Sequence, residues 1–472
     1  MVDRRDFLLG MGAGVGGSVA VLGTASMASA VVTGEVAKQE SNTLYEEIIT
    51  MPVDDSHCHP LTEQDAKTTP DQFLERISLA AMPAFAYFPD GVFDQWKTGD
   101  AALKHTLDKK YGIKAKMDEI NYHFSESVFA KYMVKEMAGF LGCKPDIKSV
   151  IGARNERGGN YWGYIGDMFR DIKLENAMVD TGYAEGMETQ GILRFEKAIK
   201  PTKVRRIYRV ETIQSDLLEL DISFEELETR FLQKVRAGLD GTANYGGKSY
   251  GMKSYLMPTI GVVKPLYDAD VAKQSWAELK SESTYEDRQA ESLAGKDLQR
   301  YLLTLAQEEC LKRDMPMQYH AGDGEAPSII LRQQDPYNLE EVVRFDKDGV
   351  MRMPKIVPIH AGYPLVGQAA WLSHLYTNCY FELSIMTPFV HQGLLQRYLQ
   401  VMEAVPLSKI LFGSDAYHVP ELYWLAGTWG KRYLSQALGV YVHNKLLTVD
   451  EALEAARMIL YKNNRRLYNI DA

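Results

Sequence analysis

Short runs of strand-like residues recur at 51–57, 176–180, 205–211, 250–255, 315–320, 355–360, 378–384 and 409–415, separated by longer stretches with helical patterning. Strands that alternate with helices indicate parallel βαβ units. Eight of them is the number that closes a (β/α)8 TIM barrel, and that is the fold the pattern predicts. The regular order of the set carries the inference more than any single run does.

The spacing is broken once. Between the first and second runs, residues 62–175 are far too long for one crossover helix and hold amphipathic candidates at 72–82 and 125–141. This predicts a long helical insertion after the first strand, on the barrel face where active sites sit. A separate helical domain is the alternative. Residues 275–296, dense in polar side chains, predict the solvated start of a helix before the fifth strand.

Residues 1–30 have a different character. Arg4-Arg5 precede Phe7-Leu8, residues 10–27 carry no charge, and Ala28-Ser29-Ala30 offers a small-x-small cleavage site. That order is a removable signal peptide, with an uncleaved anchor as the alternative, and the paired arginines resemble the twin-arginine export signal. A periplasmic or otherwise exported protein, escorted by the twin-arginine translocation machinery, is the expectation. The barrel then occupies residues 31–472.

Composition narrows the function classes. The chain of 472 residues has 53 basic and 63 acidic side chains, a net charge of −10. That argues against nucleic acid as a partner, which needs a basic face. No later stretch reaches the length of a stable membrane span. The four cysteines form no CxxC pair, so buried, reduced thiols are expected. These features leave room for a homo-oligomer and do not define one.

The chemistry gathers at strand ends. His57 and His59 close the first run two residues apart, which puts both imidazoles on one face and Cys58 on the other. His320 ends the fifth run, His360 the sixth and Asp415 the eighth. Any one of these could be a hydrogen-bonded core residue. Metal-competent side chains at the C-terminal ends of four strands point to one shared site. Arg209 and Glu211 end the third run on a common face, as a buried ion pair or as ligand contacts. Arg332, after the fifth strand, could fork onto a carboxylate or lie on the surface. No nucleotide-binding glycine motif stands at a strand–helix junction.

Four stretches carry a family resemblance: Gly251-Met252-Lys253-Ser254, Tyr319-His320-Ala321-Gly322-Asp323-Gly324, Ile359-His360-Ala361-Gly362-Tyr363-Pro364, and Phe412-Gly413-Ser414-Asp415-Ala416-Tyr417 followed by Pro420-Glu421. They resemble the amidohydrolase superfamily, in its amidohydrolase-related branch. The similarity is closest to the amidohydrolase-like domain of FluG-type and nodulin-type proteins. It covers the chain from about residue 50 and again from 176 onward, and is poor across the insertion.

The resemblance implies one divalent cation, zinc first with manganese or iron as alternatives, held by His57, His59, His320 and Asp415. It gives Asp415 the proton transfers and leaves His360 off the metal, hydrogen-bonded to the substrate carbonyl or the attacking water. Some superfamily members carboxylate a lysine on the fourth strand to bridge a second metal, so Lys253 is either such a bridge or a substrate or structural contact. Lys253, Arg209, Glu211, Arg332 and Tyr363 are the candidate substrate contacts. The expected activity is hydrolysis of a C–N (amide) bond in a small polar, carboxylate-bearing substrate. The alternatives are a metal-dependent decarboxylase or lactonase, and a non-catalytic periplasmic metal- or ligand-binding protein.

Overall fold

The computed structural model describes residues 43–78, 87–89, 91–182, 189–242, 247–281, 293–322 and 330–470. The export signal and Asp323 lie outside the described residues. Eight parallel strands form the centre: β1 Val53–Cys58, β2 Leu174–Asp180, β3 Lys203–Arg209, β4 Ser249–Ser254, β5 Met317–His320, β6 Ile356–Ile359, β7 Phe381–Glu382 and β8 Ile410–Leu411. Strands β1 to β6 pair in sequence order, and β7 pairs with β8.

Two seams close the ring. At one, Tyr380 N donates to Ile356 O at 2.9 Å, beside a parallel bridge between Ile356 and Cys379. At the other, Ser56 N donates to Phe412 O at 2.9 Å and Asp415 N to His57 O at 2.8 Å. The fold is the expected (β/α)8 barrel.

Several runs are shorter than their sequence patterns suggest, for a physical reason. Near the seams, backbone groups are taken by side chains and by the segment 459–464. Ser384 N donates to Glu382 and Ser414 N to Asp55, both at 2.9 Å. Phe412 N donates to Ile459 O at 3.1 Å, and Asn464 Nδ2 to Phe412 O at 3.2 Å.

The interior of the barrel is filled rather than hollow. Met178, Ile207, Val357, Ile359 and Leu411 pack from four strands against Leu467, Tyr468 and Ile470. The last described segment, with its helix Asn463–Tyr468, therefore plugs the barrel floor. It is pinned there by Arg465, which forks onto the buried Asp54 carboxylate.

The 62–175 insertion is helical and has two parts. Residues of the helices Val92–Thr98, Ala101–Tyr111 and Ile113–Ser125 make a small core of their own around Phe93, Ile113 and Met117. Helices Val128–Leu141 and Tyr161–Asp171 instead join the main core, against the long helix Pro420–His443. Ser127 caps the first of these by accepting from Ala130 N at 3.1 Å. Its Phe129, Met133 and Met137 then fall on one face, as helical spacing requires. Tyr132 stacks on Trp429 with centroids 4.8 Å apart, and Arg432 forks onto Glu136. The helix expected at 72–82 is Pro70–Ile77. Of the stretch 275–296, residues 275–281 end the helix Ala269–Ser281 with Ser275 and Trp276 buried and Glu278 exposed, and 282–292 lie outside the described residues. No helix among the described residues is long and apolar enough to cross a membrane.

Cys58, Cys310 and Cys379 are buried thiols, and Cys143 is half-buried; none is paired. Lys431, also buried, donates to Met51 O at 2.7 Å, Ile172 O at 2.9 Å and Ile49 O at 3.2 Å, tying the long helix to the start of β1 and the end of the insertion. Replacing it with methionine orphans three carbonyls. Lys431→Met should cost about 2–3 kcal/mol, read as a lower urea midpoint at unchanged m-value.

Candidate metal centre

Strand β1 delivers the first ligand pair. His57 is fully buried, and His59 follows just past the strand end; their rings are 5.2 Å apart and nearly perpendicular. Cys58 points the other way, into the apolar core, with Sγ 3.5 Å from Met178 O. From β8, Asp415 Oδ1 reaches 3.1 Å from His57 Nε2 and 3.2 Å from His59 Nε2. The ligand atoms of these three residues all lie within 4.8 Å of one another. Asp415 holds a left-handed backbone conformation at φ 54°, as does His360 at φ 74°. Such strain in non-glycine residues costs of order 1 kcal/mol and concentrates at functional sites.

His320 and His360 stand beside this cluster and face each other, and the expected ligand His320 is not part of the group gathered within 4.8 Å. His320 Nδ1 lies 3.0 Å from His360 Nε2, and the ring centroids are 4.3 Å apart. His360 Nδ1 lies 2.9 Å from Ser384 Oγ, whose hydroxyl donates to Glu382 at 2.6 Å. The protons follow from that order. Ser384 accepts from His360 Nδ1–H, so His360 Nε2 accepts from His320 Nδ1–H, and His320 Nε2 keeps its lone pair. Both ring nitrogens of His360 are thereby committed to protein groups, and in this arrangement neither offers a proton to a substrate.

A similar device acts on His57. Its Nδ1 donates to Gln318 Oε1 at 2.8 Å, while Gln318 Nε2 donates to Ser56 O and to the Tyr468 hydroxyl. His57 Nε2 is left as a lone pair, and like His320 Nε2 it is buried without a hydrogen-bond partner. Burial drives the imidazolium forms down: His57 to about 4, and His320 and His360 well below their ordinary value. Burial works the other way on Asp415, but the surrounding imidazoles, His360 foremost, hold its carboxyl well below the usual range. Neutral imidazoles with an ionised carboxylate form the donor set of a zinc-type cation, and two orphaned buried nitrogens are what such an ion would satisfy.

The supporting layer was not identified from sequence, although strand periodicity could have found it. Asp55, Gln318 and Glu382 each stand two residues before His57, His320 and Ser384, hence on the same inward face one layer lower. Asp55 accepts from Ser414 N and from the Ser414 hydroxyl. Glu382 accepts from Ser56 Oγ at 2.8 Å and His360 N at 3.0 Å. Burial outweighs these bonds and raises Asp55 to about 8 and Glu382 to about 7. Gly413 makes room for this layer: a Cβ there would fall 1.7 Å from Glu382 Oε1.

The remaining predicted residues divide. Arg209 puts Nε and Nη2 on Asp180 Oδ2, at the end of β2, and Lys253 Nζ is 3.5 Å from the same oxygen. Burial opposes ionisation of Asp180, but Arg209 and Lys253 outweigh it and hold the carboxyl far below its usual range. The expected Arg209–Glu211 pair is not formed. Strand β3 ends at Arg209 and the chain enters the helix Val210–Leu218, so the two-residue strand rule fails there. Glu211 instead accepts from Ser254 Oγ at 2.7 Å and Tyr255 N at 2.9 Å. Arg332 is exposed on the 3-10 turn Leu331–Gln333. Tyr363 is half-buried after the turn His360–Gly362 and packs on the main core. Glu421, past β8, is fully buried and takes hydrogen bonds from Arg154 of the insertion at 2.5 Å and Tyr164 at 2.9 Å.

Comparison with known proteins agrees with this geometry. Residues 292–470 match the amidohydrolase family model. The protein fluG of Emericella nidulans is 27% identical over 291 residues, 60% of this chain and 32% of that protein, so the match spans about a third of the relative's length. Together these support the amidohydrolase superfamily. A candidate metal-dependent hydrolase from Lactobacillus casei shares the fold at a TM-score of 0.68 and 20% identity, over 91% of this chain and 98% of that one. A uronate isomerase from Bacillus halodurans does so at a TM-score of 0.60 and 12% identity, over 92% and 97%. At such identities the likeness is one of fold.

Two outcomes are expected from the supporting layer. Gln318→Leu should leave the fold in place and weaken zinc binding about 10–100-fold, the usual effect of losing a ligand's orienting partner, measured by competition with a chromophoric chelator. For the metal-free protein, His57 binds a proton at about 6.5 when unfolded and about 4 when folded. Its contribution to stability is whole above about pH 6.5 and is lost as pH falls toward 4, a change of about 3 kcal/mol. Guanidinium unfolding of His57→Asn at pH 7 and 4.5 should show a flatter dependence than the parent; equal slopes would contradict burial as the cause.

Proposed function

We propose that this protein is a metal-dependent hydrolase that cleaves an amide C–N bond of a small polar, carboxylate-bearing substrate. The observation that carries the reading is the convergence of His57 Nε2, His59 Nε2 and the Asp415 carboxylate at the C-terminal mouth of a closed barrel. His320 Nε2 is the fourth donor of the proposed set. When bound there, a divalent cation supplies Lewis acidity for water and for the substrate carbonyl.

The chain's own residues account for the rest. Asp415 is ionised, and its Oδ2 lies off the two imidazoles that face Oδ1; it accepts a proton from the attacking water and returns it to the leaving amine. His360, held by Ser384, keeps His320 in the tautomer that presents Nε2; a donor role toward the substrate carbonyl requires it to turn from His320. The buried walls strengthen each of these electrostatic contacts. Fold relatives include both a candidate metal-dependent hydrolase and uronate isomerases, so the reaction rests on the site and on the family match, not on the fold. Export by the twin-arginine route belongs to the same proposal and is supported by the Arg4-Arg5 signal alone.

The test is amine release from a panel of small amides. Turnover should vanish on chelation and return with zinc or manganese. Asp415→Asn should keep the melting temperature and lower the rate by about 10²–10⁴-fold, the worth of a positioned acid–base group. Carbon dioxide release without water consumption would replace the hydrolase by a decarboxylase. Stoichiometric metal with no turnover on amides, esters or lactones would leave a binding protein.

A further inference from the structure

Building on the metal-dependent hydrolase reading, we propose that Lys253 anchors the substrate's carboxylate, which makes the substrate class an amide with a free carboxylate on the same small molecule. The ends of β2, β3 and β4 bring Asp180, Arg209 and Lys253 together, but the three are not equally occupied. Asp180 Oδ1 accepts from Gly182 N at 2.9 Å, and its Oδ2 receives both Arg209 nitrogens. That pair is complete. Lys253, only 2% exposed, has its ammonium 3.5 Å from the shared Oδ2, beyond a good hydrogen bond, and makes no hydrogen bond with any described residue. Glu211 is turned away onto Ser254 and Tyr255.

A buried ammonium with three donors, set 3.5 Å from a carboxylate oxygen that Arg209 already occupies, keeps donors to spare for a second anion. It stands beside the candidate metal cavity. One ring ties the two regions together: Tyr255 has Lys253 Nζ 5.6 Å and Arg209 5.9 Å from its centroid, and its ring lies 4.6 Å from that of His320. A carbonyl placed among His57, His59 and Asp415 therefore has a cation across the cavity, on the β4 side, for the carboxylate of the same molecule. Ionic strength should have little effect on this contact, because screening is weak for buried charges.

The test uses the zinc-loaded full chain and calorimetry with succinamate, glutaramate and adipamate, their neutral diamides, and acetohydroxamate as an uncharged metal-directed probe. At least one amide acid should bind ten times more tightly than its diamide. Lys253→Met should erase that preference while keeping one zinc per chain, the parent's melting temperature and its affinity for acetohydroxamate; Lys253→Gln should behave alike. The proposal is overturned if no amide acid is preferred, or if the preference survives in both variants. It is equally overturned if the parent holds two metals, carries the mass of a carbon dioxide on Lys253 and drops to one metal on substitution. A parent that binds neither zinc nor acetohydroxamate refutes the hydrolase reading instead.

Discussion

The contact between the Asp415 carboxylate and the Nε2 atoms of His57 and His59, at 3.1 and 3.2 Å, sets the terms for everything around it. Imidazoles serve as ligands only when neutral and only from the nitrogen that carries no proton. At His57 and His320 burial secures the first condition by disfavouring the imidazolium form. The second is met from below: Gln318 takes the proton of His57 Nδ1, and the row Glu382, Ser384, His360 fixes the proton of His320. Burial thus prepares the candidate ligands, and the polar layer beneath decides which way they face.

That layer is itself expensive. Asp55 and Glu382 are carboxyl groups in a low-dielectric interior, and their raised values of about 8 and about 7 show that serine hydroxyls and backbone amides do not fully offset the desolvation. The fold accepts this cost where the barrel ring is weakest. Strands β7 and β8 have two residues each in regular pairing, and there side-chain hydrogen bonds substitute for the missing ladder. Polar groups that orient the ligands also hold the seam.

Much of this was legible in the sequence because it obeys local periodicities. Eight strand-like runs in regular order gave the barrel, and His57, His59, His320, His360 and Asp415 were visible because each stands at a strand end. The two-residue strand rule failed at Glu211, where a helix begins one residue after the strand stops. Gln318, Asp55 and Glu382 went unnoticed although the same periodicity marks them, since glutamine and acidic residues inside strands look like solvent-facing positions until a closed barrel turns that face inward. The two-part character of the insertion was not legible at all. It depends on Trp429 and Arg432 in a helix some three hundred positions away, and separation of that kind leaves no trace in a window of neighbouring residues.

The plug formed by Leu467, Tyr468 and Ile470 also has a bearing on how the molecule comes into being. Tyr468 receives the hydrogen bond of Gln318, the residue that orients His57, and Arg465 neutralises Asp54 three positions before that histidine. The opening strand therefore completes its surroundings only when Arg465 and Tyr468 are in place, and a chain cut before them would keep every candidate ligand while losing the groups that orient His57.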